Sequence, residues 1–265
     1  MELHVSIEFQ NVSFTYPRAH RAALSDISFL LAGGRMTVVL GENGAGKSTL
    51  LKLLIGIIRP ASGRVRIDGD DTTGTSTAEL AARVAVTFQN PADQIFSSRV
   101  RTEVEFGPRN LGRPQSDLLA ERAMESVGLA SAAERHPYDL NAAQRRLLTV
   151  ASAVAMDTMT LAFDEPTSGL SQRERPRLAG VFRTLLSAGK SILIATHDLD
   201  FFLPFADRFL VLHAGRLVFD GTRPELLDRA GALRAYGVRL PLTVRLERFL
   251  QEEDLREDYL RGIAS

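Results

Sequence analysis

Residues 41–49 read Gly41-Glu42-Asn43-Gly44-Ala45-Gly46-Lys47-Ser48-Thr49. The stretch fits the phosphate-cradling pattern Gly-x-x-x-x-Gly-Lys-Ser/Thr, with Gly41, Gly46, Lys47 and Ser48 at the fixed positions. The spacing follows from the chemistry. Backbone N–H groups can wrap a chain of phosphates only where side chains stay out of the way, so glycine dominates the loop. Lys47 is placed to reach the β- and γ-phosphates, and Ser48 to offer its hydroxyl to Mg²⁺. A helix opening here adds its positive N-terminal end. All nine residues are therefore candidate nucleotide contacts.

The flanks agree. Met36-Thr-Val-Val-Leu40 is short, apolar and β-branched, which predicts a buried strand, and Leu50-Leu-Lys-Leu-Leu-Ile55 has helical spacing. Strand, glycine-rich loop, helix is the order the pattern requires. Towards the N-terminus, residues 7–31 alternate apolar and polar with a break at 17–22, predicting antiparallel strands. Towards the C-terminus, Arg64-Val-Arg-Ile67 reads as a strand and Asp68-Gly69 as a turn. Residues 78–83 read as a short helix, and Val84-Ala-Val-Thr-Phe88 as a strand ending at Gln89. From Pro91 to about Met156 the chain turns helix-periodic, with Pro108, Pro114 and Pro137 as breaks, which predicts an inserted helical lobe. Met159-Thr-Leu-Ala-Phe163 and Ser191-Ile-Leu-Ile-Ala195 are buried strands with a helix over 175–188 between them, a βαβ unit of a parallel sheet. Residues 209–212 and 216–219 predict a closing hairpin around Ala214-Gly215. In the tail, Leu246, Phe249, Leu250, Leu255, Tyr259 and Leu260 fall near helical spacing.

Bulk properties narrow the function classes. A chain of 265 residues with 45% apolar content holds one large α/β domain and a real core. No apolar run approaches the ~20 residues that span a bilayer, and the N-terminus lacks the layout of a signal peptide. A soluble, cytoplasmic protein is the expectation. Formal net charge is zero, which argues against a nucleic-acid partner. The absence of cysteine excludes disulfides and thiol chemistry. Lysine occurs only at Lys47, Lys52 and Lys190 among 32 basic residues, so Lys47 stands out in a chain that otherwise uses arginine.

Asp164-Glu165 ends an apolar strand downstream of the phosphate loop. In such sites the aspartate holds Mg²⁺ and the next carboxylate polarises the attacking water. With these residues in hand, nearly the whole chain resembles the ABC-type ATPases. The resemblance implies an α/β fold: a RecA-like parallel-sheet core, an N-terminal antiparallel β subdomain, an inserted helical subdomain (about 90–156) and a short C-terminal helical tail. It implies ATP and Mg²⁺ as ligands. It also assigns roles: Tyr16 stacks on adenine, and Gln89, 42 residues after Lys47, senses Mg²⁺ and the attacking water. His197, 32 residues after Glu165, contacts the γ-phosphate. The implied catalytic set is Glu165, His197 and Gln89, and the implied metal set Ser48, Gln89 and Asp164.

The family works as head-to-tail dimers, each ATP lying between one subunit's phosphate loop and the other's signature, Leu-Ser-Gly-Gly-Gln. Here the aligned residues are Leu140-Asn141-Ala142-Ala143-Gln144, with Gln144 20 residues before Asp164. Asn141 can still donate to a phosphate. Ala142 and Ala143 add Cβ atoms where backbone approaches the γ-phosphate, and a positive φ at Ala143 would cost ~1–2 kcal/mol. Ser171 stands where the family has aspartate, in a loop that crosses the dimer interface. Both departures lie on the face offered to the partner's nucleotide, which favours a heterodimer over a homodimer.

Finally, Phe88-Gln-Asn-Pro-Ala-Asp-Gln-Ile-Phe96, Glu103-Val-Glu-Phe-Gly-Pro108 and Asn110-Leu-Gly112 look like the energy-coupling factor ATPases of prokaryotic vitamin and transition-metal importers. That resemblance implies an ATPase domain over 1–222 and a C-terminal helical extension over 223–265, which is either a dimer-contacting tail or an ordinary packed helix. The implied partners are a second ATPase, an integral membrane coupling subunit and a substrate-binding membrane subunit, with this chain peripheral on the cytoplasmic face of the membrane. The alternatives are a soluble ABC ATPase of DNA repair, chromosome organisation or translation, and a weakly hydrolytic regulatory subunit.

Overall fold

The computed structural model describes residues 5–246. Among them ten strands form two sheets: β1 (Val5–Phe14), β2 (Leu24–Ala32), β3 (Met36–Leu40), β4 (Ser62–Ile67), β5 (Asp70–Asp71), β6 (Val84–Thr87), β7 (Thr160–Asp164), β8 (Ser191–Thr196), β9 (Arg208–His213) and β10 (Arg216–Thr222). The smaller sheet is antiparallel, in the order β2-β1-β4-β5. The larger runs β10-β9-β3-β8-β7-β6, parallel except for β10, which closes it as a hairpin with β9.

The parallel strands read as continuous apolar runs because both of their faces are covered. Along β3, Val39 faces one apolar cluster while Met36, Val38 and Leu40 face the other. The same alternation divides Leu193 and Ala195 from Ile192 and Ile194 on β8. One face packs on helix α1 (Lys47–Leu54) and, beyond it, on the inner side chains of the antiparallel sheet, including Ile7, Phe9, Leu24 and Ile27. α1 is thereby clamped between the sheets, with Leu50, Leu51, Leu53 and Leu54 all buried. A short helix, α2 (Thr77–Ala81), opened by a Ser76–Glu79 capping box, precedes β6.

Between β6 and β7 lie α3 (Val100–Asn110), α4 (Ser116–Val127) and α5 (Ala142–Ala155). Their inward residues join the cluster on the other face of the parallel sheet, together with α6 (Arg175–Ser187) and α7 (Leu199–Phe202). Pro108 does not break α3. It sits inside the helix, which ends two residues later, while Pro114 lies between α3 and α4 and Pro137 opens a short 3₁₀ turn between α4 and α5. Buried Glu103 ties down the turn before α3 by accepting from the N–H groups of Phe96 (3.2 Å) and Ser97 (2.8 Å). After β10, helices α8 (Arg223–Asp228) and α9 (Ala230–Leu233) fold back on the core through Leu226, Leu233 and Val238. Of the apolar tail positions read from the sequence, Leu246 is exposed and the others lie outside the described residues.

Candidate functional site

Four neighbouring parallel strands end at one edge of the sheet, and each delivers part of the site there. β3 leads into the phosphate loop, β7 ends at Asp164, β8 leads to His197, and β6 to Gln89. Ligands of open α/β sheets sit at the carboxyl ends of the strands for this reason. A cleft of about 520 Å³ opens at that edge, lined by Tyr16, Asn43, Gly44, Gly46, Lys47, Ser48, Thr49, Gln89, Asp164 and Glu165 among others.

The loop glycines are required by close approach. A Cβ on Gly46 (φ 110°) would lie 2.7 Å from the Ala23 carbonyl oxygen, and one on Gly41 2.5 Å from that of Leu212. Gly46 also opens α1. No side chain caps that helix and no acidic residue stands in its first turn, so its leading N–H groups are left for an anion. Lys47 folds back over the loop, donating to the carbonyls of Gly41 (2.6 Å) and Glu42 (3.2 Å), with its Nζ 3.9 Å from Glu165 Oε1. Ser48 donates to Asp164 Oδ2 at 2.6 Å. Glu42, Asn43 and Gly44 are exposed along the rim, and Ala45 packs into the core beneath.

Glu165 is the hub of the other wall. It is buried, it holds a left-handed backbone (φ 48°), and its N–H donates to Ala195 O at 2.8 Å. Thr196 Oγ1 donates to Oε2 at 2.8 Å, and His197 Nδ1 lies 2.8 Å from Oε1. The His197 side chain is 70% exposed, with one ring nitrogen anchored on Glu165, and it borders a small neighbouring hollow with Leu40, Gly41 and Glu42 rather than the cleft itself. Backbone strain of this kind is retained where the surroundings fix it, commonly at functional sites. Burial pushes the Asp164 carboxyl up from its ordinary range, and the Glu165 charge adds to this. The Ser48 hydrogen bond, Lys47 and Arg146 oppose it. Burial pulls Lys47 down, against the attraction of Glu165 and Asp164. The site is a buried charge cluster held together by mutual compensation.

Tyr16 borders the cleft, its hydroxyl 3.2 Å from Thr49 Oγ1 and its ring edge-on to Phe14. Gln89 also lines it. The signature-aligned residues lie elsewhere, at the start of α5. Asn141 and Gln144 form a reciprocal capping box, Gln144 N–H donating to Asn141 Oδ1 (2.8 Å) and Asn141 N–H to Gln144 Oε1 (3.0 Å). Ala142 and Ala143 are the first helical residues, and neither has a positive φ. The strain that a positive φ at Ala143 would carry is absent, because α5 begins at Ala142 and places Ala143 in its first turn. Ser171 caps its own turn, accepting from Arg173 N–H at 3.2 Å, donating to Glu174 and taking part in a second bond through its N–H. Sequence reasoning passed over Thr196, which orients Glu165, and Arg146, whose Nη atoms donate to the carbonyls of Phe88 and Gln89.

Residues 24–168, more than half of the chain, match the family described as ABC transporter. The chain belongs to that family. It is 35% identical to the energy-coupling factor transporter ATP-binding protein EcfA of Carboxydothermus hydrogenoformans, over 92% of this chain and 90% of that protein. It is 37% identical to the EcfA of Methanothermobacter thermautotrophicus, over 91% of this chain and 78% of that one. Among solved structures, cbiO1 from Clostridium perfringens, part of the ABC transporter complex cbiONQ, superposes with a TM-score of 0.73 at 27% identity, covering 93% of this chain and all of that one. The chain is therefore an ATP-binding ABC ATPase of the energy-coupling factor type. Among its described residues no helix is long and apolar enough to cross a membrane.

Proposed function

We propose that this chain binds and hydrolyses ATP to drive a prokaryotic energy-coupling factor importer of a vitamin or a transition-metal ion. In this reading it works with a second ATPase, an integral membrane coupling subunit and a substrate-binding membrane subunit, peripherally on the cytoplasmic face. The observation that carries it is the bracing of Glu165 by Thr196 and His197 on one side of the cleft, opposite Lys47 and the N-terminus of α1 on the other.

The phosphate chain of ATP lies along the N–H groups of 43–48, with the adenine against Tyr16. Lys47 exchanges its carbonyl partners for the β- and γ-phosphates, a charge-assisted contact stronger than the two it gives up. Glu165, its oxygens oriented by Thr196 and His197, accepts the proton of the attacking water, and exposed His197 meets the γ-phosphate. Ser48 Oγ, Asp164 and the Gln89 amide form an all-oxygen donor set, which suits Mg²⁺ completed by phosphate and water oxygens. A Mg²⁺ ion held by these residues would supply positive charge against the phosphates.

The coupling partner is a helix of the membrane subunit. Support comes from Phe96 and Phe106, both largely exposed and in edge-to-face contact at 4.6 Å, beside a groove lined by Val86, Gln94, Gly107 and Met156. Aromatic pairs left open to solvent mark binding surfaces. We take 1–222 as the ATPase domain, with 223–265 as an extension whose first part packs on it. The altered signature and Ser171 favour a heterodimer, this chain's phosphate loop facing a partner's ordinary signature.

The test is purification of the tagged chain from detergent-solubilised native membranes, then hydrolysis assays on the complex with Glu165→Gln. A second ATPase and a polytopic subunit are expected to co-purify, and E165Q is expected to lower the rate about 10²-fold. Recovery with nucleic-acid proteins alone, or an unchanged rate, would overturn the reading.

A further inference from the structure

Arg146 lies on α5, two residues beyond the signature-aligned segment, and its side chain turns away from the partner-facing surface into the protein. It is 5% exposed. Nη1 donates to Phe88 O at 3.1 Å and Nη2 to Gln89 O, so one guanidinium forks across two consecutive carbonyls of the turn that follows β6. The far side of that turn is held by Gln94, which accepts from Phe88 N–H at 2.9 Å. Burial works against the charge of Arg146, and the carboxylates of Asp164 and Glu165 work for it. Nε is buried with no hydrogen-bond partner, the sole such side-chain atom among the described residues.

A buried arginine that satisfies two backbone carbonyls and leaves a donor orphaned is a poor way to stabilise a fold. An apolar side chain would remove the buried charge and the orphaned donor, though it would leave the two carbonyls unpaired. What arginine supplies is placement. Its rigid planar fork fixes the Phe88–Gln89 backbone in two directions at once, which an ammonium on a flexible stem cannot do.

We propose that Arg146 is a positioning residue for hydrolysis: its fork sets the backbone of Gln89, and hence the reach of the Gln89 amide, against the Asp164–Glu165 end of β7. It also makes one rigid link between this chain's own phosphate site and the helix whose first turn faces the partner's nucleotide. A shift of α5 on dimer closure would be transmitted to Gln89 through that fork. The inference rests on the reading of Gln89 given above.

The test is a double-mutant cycle in the assembled complex with Arg146→Lys and Gln89→Ala, reading kcat, KM for ATP and the half-saturating Mg²⁺ concentration, with the thermal midpoint as a fold control. R146K keeps the charge and loses the fork. It is expected to lower kcat about tenfold and raise the Mg²⁺ requirement, leave KM for ATP within about twofold, and add nothing further in the Q89A background. Arg146→Met carries the same expectation without the charge. Q89A impaired but R146K like the parent, or R146K effects multiplying those of Q89A, would overturn the positioning role alone. Q89A with unchanged turnover would overturn the reading of Gln89 and this inference with it.

Discussion

On the reading proposed above, the chain presents halves of two different nucleotide sites, and they are built differently. The half that holds its own phosphates is interior: Lys47, Asp164 and Glu165 are buried, and Ser48, Thr196 and His197 bond to them directly. Each group is fixed by another member of the set, so a change at one alters the geometry of its neighbours. The half offered to a partner is a rim. Asn141, Ala142 and Ser171 are exposed, held by helix-capping bonds that only local backbone and side chains complete. Substitution there leaves the fold intact. On that reading the altered residues fall on the rim while the interior half is whole.

The comparison can be broken at several depths. Lys47→Ala removes both loop contacts and the cation at the phosphates, and is expected to cut hydrolysis more than about 10²-fold with weakened ATP binding, read by titration with a fluorescent ATP analogue. Asp164→Asn should stop Mg²⁺-dependent turnover and yet raise the thermal midpoint at neutral pH. The sign follows from the raised pKa: the folded protein binds this proton more tightly than the unfolded chain, so the ionised carboxylate costs stability above the folded pKa. That cost fades as pH falls, so the gain from D164N should shrink in melts run from about pH 8 to about pH 4. A gain that grows in acid would contradict the burial argument. At the rim the effects are smaller. Asn141→Ala loses the cap and is expected to cost about 1 kcal/mol in urea denaturation, whereas Asn141→Ser, which keeps a capping oxygen, should lie close to the parent.

The parts of the site that were legible in the sequence are those with fixed spacing. Gly41 to Thr49, the Asp164-Glu165 pair and His197 each follow an apolar run, and parallel pairing of those runs is enough to bring them to one sheet edge. Contacts made across elements were not legible. Nothing in Leu140 to Leu147 distinguishes Arg146, which is buried under β6, from Arg145, which stays at the helix start with its Nη1 on Leu140 O at 2.6 Å. Only the facing of α5 on the sheet decides between them. The backbone at Ala143 was open to another reading: a capping box is present in the sequence as Asn141 and Gln144, three apart, and it predicts helical Ala142 and Ala143 without a positive φ. Pro108 misled because a proline inside a helix forfeits one bond, to the carbonyl four residues back, without having to end the helix, which here runs on to Asn110.

The asymmetry between the two halves is tested most directly by hydrolysis with the full chain alone, without other subunits, beside the variant Asn141→Ser/Ala142→Gly/Ala143→Gly. Alone, both composite sites must use the altered rim. The account predicts slow turnover by the parent and a rate at least about tenfold higher for the variant, since removing the two Cβ atoms lets backbone approach the γ-phosphate. Equal rates for the two proteins, at the speed of the assembled complex, would contradict it.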